Sequence, residues 1–224
     1  MVLQGLCMFG LNYWIIYWSE VYLTSGIVAV IFSTIVFMNI LNGRIFLGLP
    51  INPSKLLGGV FGLTGICALF YPELVGTEAT HETLFGFALA FGATSIASFG
   101  NIIATRNSGH GHSVWVINAW GMTYGSLILL VIGITTGTEF TFPNTTVYNL
   151  SLLYLSVFGT ILAFGAYLKL LHQIGPDKAS YSSMLYPVVA LLLSTLFEGY
   201  QWTLPALFGL ALILFGNVLV MKSK

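Results

Sequence analysis

Charged side chains are scarce in this sequence: seven Lys and Arg and seven Asp and Glu make up 6% of its 224 residues. An ordinary soluble domain carries roughly 25% charged residues. Hydrophobic residues reach 57% of the chain, and the mean hydropathy is +0.91. A soluble fold of this length could not bury that much apolar surface, so lipid must surround much of it. The zero net charge and the lack of a basic run argue against nucleic acid as a partner.

Cysteine is rare, and the common catalytic motifs are missing. Cys7 and Cys67 lie inside apolar blocks, where thiols pack as small hydrophobes, so neither a disulfide nor a metal site is indicated. His110 and His112 lack a third metal ligand beside them. No phosphate loop of the form GxxxxGK[ST] is present, which argues against ATP as the direct energy source. We expect no cofactor, no metal and no enzymatic activity, because the apolar blocks hold no cluster of catalytic side chains.

Eight long apolar blocks run along the chain, and each approaches the roughly 20 residues that a transmembrane helix needs. The blocks must be helices, since an open sheet edge cannot persist in hydrocarbon. The sequence therefore predicts an all-α, polytopic membrane bundle of eight transmembrane helices joined by short loops. The predicted spans cover residues 3–22, 25–43, 56–72, 83–105, 113–135, 148–172, 179–197 and 203–221.

The few charges divide between the two predicted faces of the membrane. Cytoplasmic loops retain Lys and Arg, so the basic face is predicted to be the inside and both termini to be cytoplasmic. Among the acids, only Asp177 falls on the basic face. The bases are Arg44, Lys55, Arg106, Lys169, Lys178, Lys222 and Lys224, and the opposite face carries Glu20, Glu73, Glu78, Glu82, Glu139 and Glu198.

The chain contains a weak internal repeat. Residues 13–44 align with residues 167–198 at a constant offset of 154, and the offset then falls to 151 because the first copy has a longer loop. The two copies start on opposite predicted faces, which indicates an inverted-topology repeat of the kind found in secondary transporters. The alignment pairs Tyr13 with Tyr167, Ser33 with Pro187, Gly58 with Gly209 and Gly65 with Gly216.

Uncharged polar and aromatic side chains share faces of several predicted spans. Such groups suit a binding cavity, although interhelical hydrogen bonds or interfacial aromatic belts produce the same pattern. Pro187 frees the backbone carbonyl of Ser183, which either exposes it to substrate or kinks the helix. The candidate substrate pathway consists of Tyr13, Tyr17, Ser33, Asn101, Trp115, Asn118, Tyr167, Ser183, Tyr186 and Pro187.

The predicted spans carry no charge at their centres, and this limits the substrate. Phosphorylated solutes would require Lys or Arg in the cavity, so small neutral or zwitterionic solutes fit better. Glu20, at the end of the first span, is the candidate for proton coupling, because a coupled carrier needs a group that titrates. The alternative for Glu20 is a solvated acid at the outer surface.

The last third of the sequence, residues 159–220, closely resembles the closing three spans of the EamA family in the drug/metabolite transporter superfamily. Residues 116–125 and 24–30 resemble earlier parts of the same family, so the resemblance covers nearly the whole chain. The matching residues are Asp177-Lys178-Ala179-Ser180, the mid-helix Pro187, Glu198 just past a span, and the pair Gly209 and Gly216.

The resemblance implies ten spans in two inverted five-helix repeats, in a carrier that moves small metabolites and often exports amino acids. The first span here resembles the third of the family, so we expect three spans of the first repeat in residues 1–72 and five of the second in residues 83–222. Arg44 also departs from the family pattern, which usually has Glu at this position.

The sequence thus predicts a secondary transporter of small neutral or zwitterionic, amino-acid-like metabolites, exporting them across the inner or plasma membrane. The lack of two helices would remove one wall of the cavity, so the alternative is a non-transporting fragment or a partner-dependent subunit. The expected partners are a small-molecule metabolite and the lipid bilayer, and a homodimer is one way to rebuild the wall.

Overall fold

The structure is a computed structural model that describes residues 1–76, 78, 80–109, 113–143, 145–197 and 202–222. Every regular element in these ranges is helical, which confirms the all-α membrane bundle. The predicted histidine pair at 110–112 and Glu198 lie outside the described residues.

The first part of the chain forms α1 to α4. A π-helical segment, Gly5–Gly10, interrupts α1, and Thr34 separates the two segments of α2. Gly48 ends α2 in the left-handed conformation at φ +67°, which glycine adopts without steric cost. The bounds are Val2–Gln4, Gly5–Gly10 and Leu11–Ser19 for α1, Ser25–Ser33 and Ile35–Leu47 for α2, Pro53–Leu69 for α3 and Tyr71–Gly76 for α4.

The second part of the chain forms α5 to α9. Side chains at the N-caps help to start two of these helices: Thr80 accepts a hydrogen bond from the Thr83 amide, and Thr145 accepts one from the Tyr148 amide. The bounds are His81–Ser108 for α5, Val114–Thr135 for α6, Thr146–Tyr154, Leu155–Leu162 and Ala163–Ala179 for α7, Ser180–Leu185 and Tyr186–Phe197 for α8, and Leu204–Lys222 for α9.

Among the described residues, five helical stretches are long and apolar enough to cross a membrane, and α3 is a shorter apolar helix. The remaining predicted spans, α1 and α8, each contain a segment that is not α-helical. The exact count of eight spans therefore stays a prediction. The five stretches are Ser25–Leu47, His81–Ser108, Val114–Thr135, Thr146–Ser182 and Leu204–Lys222.

Helices α3 and α9 form the most extensive interhelical contact of the described residues. Two glycine pairs allow this approach, as expected where small residues bring helix backbones together in lipid. A Cβ atom on Gly65 would lie 2.6 Å from the carbonyl oxygen of Gly209, and one on Gly216 would lie 2.6 Å from that of Gly58. The repeat alignment pairs Gly58 with Gly209 and Gly65 with Gly216. The contact between Gly65 and Gly209 therefore corresponds, in the aligned repeats, to the contact between Gly216 and Gly58.

Helix α5 contacts α1, α2, α6 and α7. Its buried positions are mostly small, including Gly86, Ala90, Ala93 and Ala97, so several neighbours can approach its backbone closely. By contrast, the first two segments of α7, residues 146–162, contain no buried residue. The core of the bundle therefore forms around α5, and the first half of α7 lies at its periphery.

Candidate functional site

A cavity of about 400 Å³ lies between α1, α2, α5, α7 and α8. This volume is within the range of small-molecule binding sites. Four of the predicted pathway residues line it: Tyr13, Asn101, Tyr167 and Tyr186. The remaining lining residues are Met8, Asn12, Ile16, Phe32, Ile35, Ala97, Gly159, Ala163 and Phe164.

Two residue pairs in the cavity wall are related by the repeat alignment. The offset of 154 pairs Tyr13 with Tyr167 and also pairs Phe32 with Tyr186, and all four side chains line the cavity. The aligned parts of residues 1–72 and 83–222 thus both contribute to its wall. The cavity lies where the two predicted repeats meet, which is where transporters built from inverted repeats bind their substrates.

The polar groups of the cavity are amides and hydroxyls. Asn101 is 3% exposed and lines the cavity together with Tyr167. Asn12 is 9% exposed, and its Oδ1 atom has no hydrogen-bond partner among the described residues. In the described part of the chain, the cavity lining contains no charged side chain. The site can therefore offer hydrogen bonds to a solute but no compensating charge.

Asn12 was missed by the sequence interpretation, which placed the pathway on the face of Tyr13, Tyr17 and Glu20. In the structure the cavity face of α1 instead includes Met8, Asn12 and Ile16, which are four residues apart and share a face of the helix. The available signal was an amide side chain in an otherwise apolar and aromatic block.

Several predicted pathway residues do not line the cavity. Tyr17 is 63% exposed and Trp115 is 55% exposed, and the Trp115 ring lies directly over Gly165. Asn118 is buried, with its Oδ1 atom unpaired among the described residues. The side chains of Ser183 and Pro187 lie outside the described residues.

Ser33 and Glu20 also lie outside the cavity lining. The Ser33 hydroxyl donates a hydrogen bond of 2.7 Å to the carbonyl of Ala29, one turn earlier in α2, and the helix is interrupted at the next residue. Bonds of this kind often bend helices. Glu20 is exposed just after the end of α1, one turn beyond the cavity residue Ile16.

An ion pair connects the two parts of the chain. Lys55, in the first turn of α3, pairs with Asp177 near the end of α7. Their side chains are 13% and 9% exposed. This Lys55–Asp177 pair is therefore largely desolvated, and removing either partner would leave a poorly compensated charge.

Two hydrogen bonds reinforce the Lys55–Asp177 pair. The Tyr181 hydroxyl donates to the backbone carbonyl of Lys55. The Asn39 amide donates to the carbonyl of Pro176 over 3.1 Å. Gly175 precedes this segment with φ +83°, a conformation that favours glycine. The ion pair and the two hydrogen bonds thus connect α2 and α3 to the junction of α7 and α8.

The Lys55–Asp177 pair lies toward the end of the bundle that carries Arg44 and Lys222 in the last turns of α2 and α9. We call this the basic end. On α2, Asn39 is one helical turn, about 6 Å, nearer the basic end than the cavity residue Ile35. The pair and its hydrogen bonds therefore join the two parts of the chain between the cavity and the basic end.

Comparison with known proteins assigns the chain to a family. The model of the EamA-like transporter family matches residues 84–222. A solved structure has the same fold, with a TM-score of 0.83 at 15% sequence identity, over 98% of this chain and 76% of that one.

Curated relatives cover most of the chain. It is 28% identical over 222 residues to the uncharacterized transporter YvbV of Bacillus subtilis (strain 168), spanning 98% of this chain and 68% of the relative. It is 34% identical over 136 residues to the uncharacterized inner membrane transporter YicL of Salmonella typhimurium, spanning 61% of this chain and 43% of the relative. It is 27% identical over 207 residues to the uncharacterized inner membrane transporter YedA of Escherichia coli (strain K12), spanning 89% of this chain and 63% of the relative. This polytopic helical membrane protein belongs to the EamA-like transporter family.

Proposed function

We propose that the protein is a secondary transporter of small neutral or zwitterionic, amino-acid-like metabolites, which it exports across the inner or plasma membrane. The observation that carries the proposal is the cavity between the predicted repeats, whose described lining is aromatic, apolar and uncharged but includes amides and hydroxyls. A charged solute without its own counter-charge would be poorly compensated there. Membership of the EamA-like family supports transport as the activity.

Transport would proceed by alternating access, with residues 1–72 moving relative to residues 83–222 around the cavity. The Lys55–Asp177 pair and the Asn39–Pro176 hydrogen bond cross between these two parts. Opening the basic end requires these contacts to break, together with the hydrogen bond from the Tyr181 hydroxyl to the Lys55 carbonyl. The conformation described here is therefore proposed to be closed toward the basic end, which the charge distribution predicts to be cytoplasmic.

Proton coupling at Glu20 remains part of the proposal. Glu20 is exposed, and it follows the cavity residue Ile16 by one helical turn. A carboxylate near the mouth of the cavity could exchange a proton as access alternates. Its replacement by Gln is expected to remove the dependence of uptake on a proton gradient while leaving substrate counterflow unchanged.

A partner-dependent subunit is the second candidate function. The observation that favours it is the lack of buried residues in Thr146–Tyr154 and Leu155–Leu162, although this stretch is apolar. A second copy of the chain would cover this face in a homodimer. A dimer that binds no solute would favour this candidate over the transporter.

Replacing Tyr167 by Ala is expected to lower saturable counterflow of neutral amino acids in proteoliposomes by roughly tenfold, about 1.4 kcal/mol of binding free energy. The substitution removes an aromatic wall of the cavity together with its hydroxyl. The matched control is Tyr154→Ala on the same helix, because Tyr154 is 61% exposed and lies outside the cavity lining.

The same assay tests the earlier placement of Asn118 in the pathway, through Asn118→Ala. Equal counterflow in the wild-type, Tyr167→Ala and Asn118→Ala proteins would contradict the proposed pathway. The absence of saturable counterflow in the wild-type protein would contradict the transporter itself.

A further inference from the structure

We infer that the face of α7 formed by Gly159 and Ala163 is a docking site for a separate transmembrane helix. The partner helix runs parallel to α7, carries two small residues four positions apart, and lies outside residues 1–224. This interaction goes beyond the proposed transport function, and it does not depend on which solute the cavity binds.

The packing of α1 against α6 shows what such a contact looks like in this fold. A Cβ atom on Gly5 would lie 2.5 Å from the carbonyl oxygen of Gly121, and one on Gly125 would lie 2.5 Å from the Cβ atom of Phe9. Since Gly5 meets Gly121 and Phe9 meets Gly125, the two helices run in the same direction. Two small residues on α6 thus bring the backbones of parallel helices together, as is typical of helix pairs in lipid.

The repeat alignment places Gly159 at the position of Gly5. Continuing the offset of 154 toward the N-terminus pairs Gly5 with Gly159 and Phe9 with Ala163. Both glycines also lie in the π-helical segments of α1 and α7. Because the same backbone distortion recurs at the aligned position, α1 and α7 present equivalent faces there.

The face of Gly159 has no neighbour of the kind that Gly5 has. Among the described residues, the only atom within 4 Å of a Cβ atom built on Gly159 belongs to Leu155 of the same helix, 3.6 Å away. The segment Leu155–Leu162 contains no buried residue and contacts mainly the adjoining segments of α7. No helix in the described part of the chain therefore takes, beside α7, the position that α6 takes beside α1.

The surroundings of Gly159 determine the chemistry of the partner. Gly159 lies near the centre of the predicted span 148–172, at hydrocarbon depth, where only helical backbone is satisfied. The neighbouring side chains of Leu155, Phe158 and Leu162 are apolar and exposed. An apolar helix with small residues opposite Gly159 would match this surface, because small residues allow close backbone approach.

A second copy of the chain cannot provide its α6 for this contact. Gly121 and Gly125 of α6 already lie against α1 in their own bundle, so binding α7 of another copy would require that packing to be broken. The partner is therefore a helix that repeats the small-residue pattern of α6 and is free to bind.

The docked helix would form part of the cavity wall. Gly159 and Ala163 line the cavity, whereas the residues aligned with them, Gly5 and Phe9, contact α6. A helix placed on α7 as α6 is placed on α1 would thus border the cavity on its α7 side. The partner would complete the site as well as cover an apolar face.

Energy transfer in vesicles tests the docking site. The full chain is reconstituted with Cys7 and Cys67 replaced by Ser and with a donor dye on a single cysteine at Val147, which is 77% exposed in the first turn of α7. The probe is a synthetic peptide with the α6 sequence, residues 114–135, carrying an acceptor dye at one end. We expect energy transfer that saturates with peptide concentration and is stronger with the dye at the peptide N-terminus, because the helices run parallel.

Matched substitutions locate the contact. Gly159→Leu in the protein, and Gly121→Leu together with Gly125→Leu in the peptide, should each weaken the association at least about tenfold, because a side chain is inserted into a packed contact. Ile161→Phe adds bulk on the opposite side of α7 and should leave the association unchanged. Gly159→Leu should unfold at the wild-type temperature, since no other helix lies within 4 Å of its Cβ atom among the described residues.

Two results would overturn the inference. Equal energy transfer with the wild-type and the doubly substituted peptides would leave this face of α7 to lipid. Energy transfer between two labelled copies of the protein that Gly159→Leu abolishes would assign the face to a second copy instead. Counterflow by the protein is measured separately, so its absence would contradict the proposed function without affecting the docking site.

Discussion

Replacing Asp177 by Asn is expected to open the basic end of the bundle and to expose the cavity from that side. The substitution leaves Lys55, with a side chain 13% exposed, without its counter-charge. Removing one partner of a buried pair costs roughly 3–5 kcal/mol. Since about 1.4 kcal/mol corresponds to a factor of ten, the equilibrium constant that favours the closed conformation should fall about a hundredfold or more.

Cysteine labelling measures this change. Cys7 and Cys67 are first replaced by Ser, and a single cysteine is then placed at Ala97, which is 5% exposed and lines the cavity. A membrane-impermeant maleimide is added from the basic side of oriented vesicles. We expect the Asp177→Asn protein to be labelled at least about tenfold faster than the protein with the intact pair, on the free-energy argument above.

The control for this experiment exchanges the two charges. In a protein carrying both Lys55→Asp and Asp177→Lys, the ion pair can re-form, and slow labelling should return. Thermal unfolding of each variant checks that the bundle remains folded. Equal labelling rates with and without the intact pair would show that the pair does not close this end.

The second large effect is expected from Gly65→Ala at the contact of α3 and α9. The new Cβ atom would lie 2.6 Å from the Gly209 carbonyl oxygen and 2.9 Å from the Ile213 amide nitrogen. Both are backbone atoms, so the helices must separate. Overpacking of this kind typically lowers the free energy of unfolding by about 1–3 kcal/mol. For a chain of this size, each kcal/mol lowers the unfolding temperature by roughly 2–4 °C.

Gly92→Ala on α5 is the matched control, because nothing lies within 4 Å of a Cβ atom built there. Without a clash, Ala should stabilise the helix by about 0.5–1 kcal/mol relative to Gly. Gly209→Ala should behave like Gly65→Ala, since its Cβ atom would lie 2.5 Å from the Gly65 carbonyl oxygen. Unfolding of Gly65→Ala at the wild-type temperature would contradict the close contact.

The membrane bundle could be predicted from composition alone, because 6% charged residues exclude an ordinary soluble core. Helix boundaries could not be predicted as well, since hydropathy does not report caps. The third span was predicted over residues 56–72, whereas α3 is Pro53–Leu69. Its start follows from the Asn52 side chain, which accepts a hydrogen bond from the Ser54 amide, and from Pro53 in the first turn.

That boundary explains why the Lys55–Asp177 pair was not predicted. Lys55 was assigned to a loop, but the structure places it in the first turn of α3, facing Asp177. The available signal was the single exception to the charge pattern, since Asp177 was the one acid on the basic face. An acid among bases at a membrane face is a reason to look for an ion pair.

The cavity could be predicted in part from the repeat alignment. The repeat alignment pairs Tyr13 with Tyr167, and both line the cavity. Asn12 could not be placed, because an amide side chain in an apolar helix is equally typical of an interhelical hydrogen bond, and the sequence does not show which helices pack against that face. Contacts across long sequence separations, such as Asn39 with Pro176, leave no periodic pattern to detect.

The Lys55–Asp177 pair has no equivalent in the other half of the predicted repeat. The alignment pairs Lys55 with Ala206 and Asp177 with Leu23, and both of these are buried apolar residues. In an exact inverted repeat, the two access states would be related by a two-fold rotation and equal in free energy, with an equilibrium constant of one. An ion pair present in only one of them shifts that constant toward the state closed at the basic end. The unloaded carrier would then spend most of its time facing away from the basic end.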